Sequence, residues 1–258
     1  MNVLVLLSII LFALMAIIGG KKGVKSFIAL LLNFVILLGT VLVMNDPNAN
    51  PIWLTLIACA LISAISLFYI NSVNSKTVMA FISTIVTLII LLAFIIVMTD
   101  QSMIQGFGEE ETDELVVFSL HIGIDFVKVA TSVIIMGTIG AIIDTAISIT
   151  SPMREIHYHN PSISRKELFL AGIRIGRDIL NTSTNTLFFA FFGSSMGLLM
   201  WFKDLSYSFG EMVNAKVFND ELISIFTAGM GVAIVIPIAS GMTAHYLVKM
   251  SKKNNHAK

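Results

Sequence analysis

Long apolar runs recur along this chain, and they leave it few ways to fold. Residues 78–98 and 27–44 carry no ionisable side chain at all. A helix needs about 20 mostly apolar residues to cross the hydrocarbon core of a bilayer. The charge balance agrees with that reading. Only 12% of residues are charged against 56% hydrophobic, where a soluble domain has about a quarter charged. Too little polar surface remains to face water.

Seven runs can be delimited. The first, 2–18, ends at Gly19, Gly20, Lys21 and Lys22, and the second, 27–44, at the turn Asn45-Asp46-Pro47-Asn48. The third spans 52–70 and stops at a polar stretch ending in Lys76. The fourth, 78–98, leads into an acidic loop with Glu109, Glu110, Glu111, Asp113 and Glu114. The fifth stretch, 115–150, is too long for one straight span, so 115–123 reads as an interfacial lead-in and 126–149 as the span. The sixth starts in a polar run, 181–186, and continues to Trp201. The seventh covers 222–247 and holds Pro237, expected to kink it by removing a backbone donor. The first run reads as a retained helix, because its lysines follow the apolar stretch and no basic region precedes it.

Lysine and arginine set the orientation. With the N-terminus outside, the inner face collects Lys21, Lys22, Lys25, Lys76, Arg154, Arg165, Lys166, Arg174, Arg177, Lys249, Lys252, Lys253 and Lys258, leaving Lys128, Lys203 and Lys216 of the 16 basic residues outside. The expectation is an all-α polytopic transmembrane bundle of about seven spans, N-out and C-in, forming one domain over 1–258. Within it, residues 1–98 make four plain apolar spans, and 115–250 carry the polar features. The largest outer loop, around 202–221, has room for a short amphipathic helix with Leu205, Phe209, Met212 and Val213 on one side.

Formal net charge is zero, and the basic residues do not form a patch interleaved with aromatics, so nucleic acid is not an expected partner. The bilayer is. The single cysteine, Cys59, lies inside an apolar run and reads as a small hydrophobe. His157 and His159 flank Tyr158 in a basic cytoplasmic loop with no spacing that aims both at one ion, and no metal is expected. Asp125 and Lys128, near the outer boundary with His121, stand at a spacing that allows pairing. No phosphate loop, Ser-His-Asp set or zinc motif appears, so catalysis is not expected and no cofactor is implied.

The chemistry-bearing residues lie in the second half. Gly137, Gly140, Asp144, Ser148, Ser151 and Glu155 share one face of the fifth span, with Pro152 able to turn Glu155 away. Glycines at that period admit another helix closely. Asp144 sits one or two turns inside the cytoplasmic boundary, where a carboxylate either marks an ion path or makes a local contact at the headgroups. Next, Ser164 and Glu167 have capping-box spacing and open a segment whose apolar face includes Gly172 and Gly176. Arg174, Asp178, Asn181 and Asn185 form its polar stripe with Arg177 alongside, as in a cytoplasmic amphipathic helix lying in the interface before span six. The stripe runs on through 181–186. These amides and hydroxyls line a wet cavity, pair with Asp144, or hold helices together. Gly193 and Gly197 form a further close-packing pair.

The stretch Gly137-Thr-Ile-Gly140-Ala-Ile-Ile-Asp144-Thr-Ala-Ile-Ser148-Ile, then Glu155, His159-Asn160-Pro161, Arg165-Lys166-Glu167-Leu168-Phe169, Gly172, Ile175-Gly176-Arg177-Asp178-Ile179 and Thr184-Asn185-Thr186-Leu187 resembles the YibE/F family of bacterial membrane proteins. The resemblance is close over about a third of the chain. It implies a multi-pass protein of the bacterial plasma membrane, of the shorter subunit type, with a related YibE/F-type subunit as partner. The family's biochemical role is not established. More distantly, the Gly-rich span with an Asp, the linking helix and the Asn/Thr-rich start of the next span are similar to SecD/SecF-type and resistance-nodulation-division membrane domains. In that group an intramembrane acid couples proton flow to movement. This chain departs from them in having no large external domain between its first two spans. The functional expectation is a permease or export-complex subunit with ion coupling at Asp144, or else a non-transporting membrane scaffold.

Overall fold

The structure is a computed structural model that describes residues 3–46, 48–102, 104 and 125–255, with side chains as far as residue 251. The acidic loop at 109–114, the lead-in at 115–123 and His121 lie outside the described residues. What is described is helical, without a strand. The helices are α1 (Val3–Met44), α2 (Pro51–Ala64, continued by a π-helical turn Ile65–Tyr69), α3 (Ser75–Ser102) and α4 (Phe126–His159). After them come α5 (Arg165–Ser194), α6 (Met196–Asp204), α7 (Phe209–Asn214) and α8 (Lys216–Asn255). By length and composition five of these can cross a membrane, and the pair α5–α6, bent by 45°, makes up to six.

Helix α1 contains the first two apolar runs. Their connection is a single residue, Gly20, with φ 54° and ψ −136°, a conformation open essentially to glycine alone. The Phe12 and Phe27 rings meet edge-on with centroids 5.0 Å apart. Fifteen residues along a straight helix would separate them by about 22 Å. The chain therefore folds back at Gly20, and Gly23 lies against the Met15 backbone carbonyl with no room for a side chain. The second arm runs beside α2: Asn33 Nδ2 donates to Ser66 Oγ at 3.1 Å, and the Lys25 ammonium sits 5.9 Å from the Tyr69 ring centroid. Most of α1 is otherwise exposed, in keeping with an apolar surface that faces lipid.

The core is built on α4, which packs against α2, α3, α5 and α8. Ile134, Ile135, Ile142, Ala146, Ile149 and Met153 are fully buried along it, meeting Leu88, Leu91 and Ile95 of α3 and Val235, Ile236 and Ala239 of α8. Asp125 caps its start. The carboxylate accepts from the Lys128 backbone N–H at 3.2 Å and pairs with the Lys128 ammonium at 2.9 Å, the pairing that the spacing allows. That hydrogen-bonded ammonium holds the Asp125 carboxyl below the usual carboxylate range.

Three expectations change here. Helix α4 runs through Pro152 to His159, so Glu155 stays on the helix and His157 and His159 belong to its last turn, not to a loop. Two residues apart on a helix they point to different sides; His159 pairs with Glu155 at 3.1 Å instead. The segment that reads as a separate amphipathic helix is continuous with the start of the sixth run, since α5 extends unbroken over both. Its hydroxyls fit a helix by bonding back to it, as Thr182 does to the Ile179 carbonyl at 3.0 Å and Thr186 to that of Thr182 at 2.9 Å. Pro237 lies inside helix α8. Between α6 and α8, α7 forms behind a Ser208–Glu211 capping box, and Phe202, fully buried, stacks on Tyr207 at 5.4 Å.

Replacing Gly20 with valine should destabilise the protein by about 1–3 kcal/mol, because a branched residue cannot hold that backbone conformation without strain. Gly19→Val, next to open space, serves as the control. Thermal unfolding in detergent reads the difference; equal midpoints for the two variants would show that the fold-back does not depend on Gly20.

Candidate functional site

Helix α4 has two unlike faces. Toward the bundle it presents a nearly unbroken series of buried residues, including Thr131, Ser132, Thr138, Thr145 and Thr150. These hydroxyls cost little to bury because the helix satisfies them: Thr131 donates to the Val127 carbonyl, Ser132 to Lys128, Thr138 to Ile135 and Thr145 to Ala141, at 2.7–2.8 Å. On the opposite side Gly137, Gly140, Asp144 and Ser148 recur at spacings of three and four and are all exposed. A Cβ built on Gly137 or Gly140 would meet nothing within 4 Å. The glycine-and-acid face thus turns away from the rest of this chain.

Helix α5 divides the same way. Gly172 is wedged where α4, α5 and α8 converge: a Cβ there would lie 2.6 Å from both Met153 Sδ and Ser240 Oγ. Gly176, one turn on, abuts Ile236 of α8. Any larger side chain would push α5 off the core. The other side carries Arg174, Arg177, Asp178, Asn181, Thr182, Asn185 and Thr186, all exposed. Gly193 and Gly197, flanking the bend into α6, also stand in open space.

The spacing therefore puts each residue on the right face of its helix but does not reveal which face the chain itself covers. Among the described residues Asp125 and Lys128 form an ion pair, and the Glu155 carboxylate lies 3.1 Å from His159 Nε2, an ion pair when that imidazole is protonated. Asp144 and Ser148 are joined to none of Arg174, Arg177, Asp178, Asn181 or Asn185 by a hydrogen bond or ion pair. No group of three metal-ligating side chains occurs among the described residues.

A further polar feature lies in α3 and α8, outside the faces that the sequence singles out. Thr77, Ser83, Thr84, Thr87 and Thr99 of α3 are all fully buried, as are Ser240 and Thr243 of α8. Ser83 and Thr87 bond back to their own helix at 2.7 Å. Thr84, Thr99, Ser240 and Thr243 find no partner among the described residues. Hydroxyls scattered through an apolar run look incidental; their spacing from Ser83 to Thr87, four residues on one helix face, is the available signal.

At one end of the bundle the contacts gather the basic residues. The Lys76 ammonium donates to Ser151 Oγ at 3.1 Å, joining the start of α3 to the end of α4, and Ser251 of α8 donates to the Pro161 carbonyl at 3.5 Å. Beside the first contact lies a cleft of about 270 Å³ lined by Lys76, Ser151, Arg154, Glu155 and Tyr158.

The two glycine sets should respond differently to the same change. Gly172→Leu overpacks a filled junction and should destabilise the protein by about 1–3 kcal/mol, whereas Gly137→Leu should leave the unfolding midpoint of the isolated chain unchanged. Matching losses in both variants would contradict the assignment of faces. In comparison with known proteins, the family described as YibE/F-like protein matches residues 7–249. No curated protein and no solved structure matches the chain.

Proposed function

Because the chain belongs to the YibE/F-like family, we propose that it is a permease or export-complex subunit of the bacterial plasma membrane. In this reading a related YibE/F-type subunit covers the Asp144-bearing face, and Asp144 carries the coupling ion. The observation behind it is that face. An acidic side chain within a span costs up to about 2.5–3.5 kcal/mol against lipid, and amides facing hydrocarbon add to this. Asp144, Ser148, Asn181 and Asn185 are exposed on helices that the rest of the chain embeds in an apolar core. Such residues belong against protein or a wet cavity, and a second subunit supplies both. Gly137 and Gly140 allow its helix to approach. No catalytic step is assigned to the chain.

The membrane arrangement we infer has seven spans: two from the arms of α1, then α2 with its π turn, α3, α4, the bent pair α5–α6, and α8. The contacts of Lys25 with Tyr69, Lys76 with Ser151 and Ser251 with Pro161 support one basic end, which the positive-inside rule puts in the cytoplasm, with the N-terminus outside. A reporter fused to the C-terminus should be cytoplasmic, and an external signal would reverse the arrangement.

A second reading, a non-transporting scaffold, uses the same exposed glycines and amides as docking contacts only. Proteoliposomes holding this chain with its related subunit separate the two. Proton flux that falls at least tenfold in Asp144→Asn while the two subunits still co-purify supports ion coupling. If Asp144→Asn disrupts co-purification and neither protein ever carries flux, the scaffold reading replaces it.

A further inference from the structure

We propose that the cleft between the start of α3 and the end of α4 binds the phosphate of an anionic phospholipid headgroup. Two cations from different helices converge on it: Lys76 from the first turn of α3 and Arg154 from the last turns of α4. Neither is neutralised. The Lys76 ammonium, half-buried, spends one of its three donors on the Ser151 hydroxyl at 3.1 Å, which leaves that hydroxyl's own proton free to donate onward. Arg154 makes no ion pair or hydrogen bond among the described residues, so its planar fork of five donors is available. The Tyr158 side chain completes the wall.

The one acid in the lining, Glu155, already has a partner: its Oε1 lies 3.1 Å from His159 Nε2, on the next turn of α4. The cleft is therefore a cationic recess with hydroxyl donors, and the chemistry that fits it is a phosphate oxyanion bound by charge-assisted hydrogen bonds. Its volume, about 270 Å³, suits a phosphodiester with a small polar head. Its position selects the source. Ser151 stands directly after the buried residues Ile149 and Thr150 of a membrane-crossing helix, so the recess opens where a bilayer's headgroups lie. A lipid phosphate is held there by its own acyl chains, and a soluble phosphate is not. This site is independent of Asp144 and of any transport activity.

The full chain is reconstituted in nanodiscs containing phosphatidylglycerol and phosphatidylcholine, and retained lipid is measured by native mass spectrometry. Wild type should retain phosphatidylglycerol over phosphatidylcholine. Lys76→Gln and Arg154→Gln should each lower that retention about fivefold, and the double variant about thirtyfold, as expected for losing one and two juxtamembrane cations. Lys76→Arg should keep it, Glu155→Gln should raise it, and Lys166→Gln, a cation at the same end outside the cleft, should leave it unchanged. Unfolding midpoints of the same samples distinguish lost binding from lost fold, and a misfolded Lys76→Gln is replaced by the Arg154→Gln arm. Equal retention in wild type and the double variant would overturn the proposal. So would displacement of the lipid by millimolar inorganic phosphate, which would make the site one for a soluble anion.

Discussion

Backbone amides in a bilayer have no water to bond, so each must be satisfied inside its own helix. That constraint decides most of what is seen here. It makes the described chain helical throughout, and it renders the inward-facing hydroxyls of α4 harmless, since each can bond to a carbonyl one turn back. It also makes the exceptions conspicuous. Asp144 and Asn181 are polar side chains on membrane helices that the chain leaves uncovered. In the proposed arrangement a second subunit covers those positions.

Packing divides into a tight centre and a loose margin. Helix α4 is surrounded on its buried side by α2, α3, α5 and α8, and at Gly172 a single hydrogen in place of a side chain lets three helices meet. The α1 arms touch the rest mainly along α2, through Asn33 and Lys25. The plain first half thus contributes the periphery and two core helices, α2 and α3, and the polar second half contributes the hub.

Much of this was legible in the residues. The apolar runs, the break at Gly19-Gly20-Lys21-Lys22, the Ser164–Glu167 cap and the Asp125–Lys128 pair all follow from local chemistry, and local chemistry is what a sequence states directly. Other features depend on what lies opposite. Nothing in Gly137 or Gly172 themselves tells which one meets another helix of this chain and which faces outward. Pro152 does not end α4, and 181–186 does not end α5, because a continuing apolar face and back-bonding hydroxyls keep the helix intact. The π turn at Ile65–Tyr69, which adds a residue to a turn of the third span, leaves no compositional mark at all.

The order of the core helices along the chain bears on how the molecule is made. Helix α4 is assembled against α8, whose residues come last in the chain, and α5 closes on both through Gly172. As the helices emerge in sequence, α2, α3 and α4 can pack on one another before the last surface that buries them, that of α8, exists. Until α8 arrives, only the side of α4 that α8 covers lacks its partner, while α2 and α3 can already pack on α4 and the two arms of α1 can already have folded together at Gly20. Completion of the core therefore waits for the last helix: a chain that stops before residue 216 lacks the α8 surface on which α3, α4 and α5 all pack.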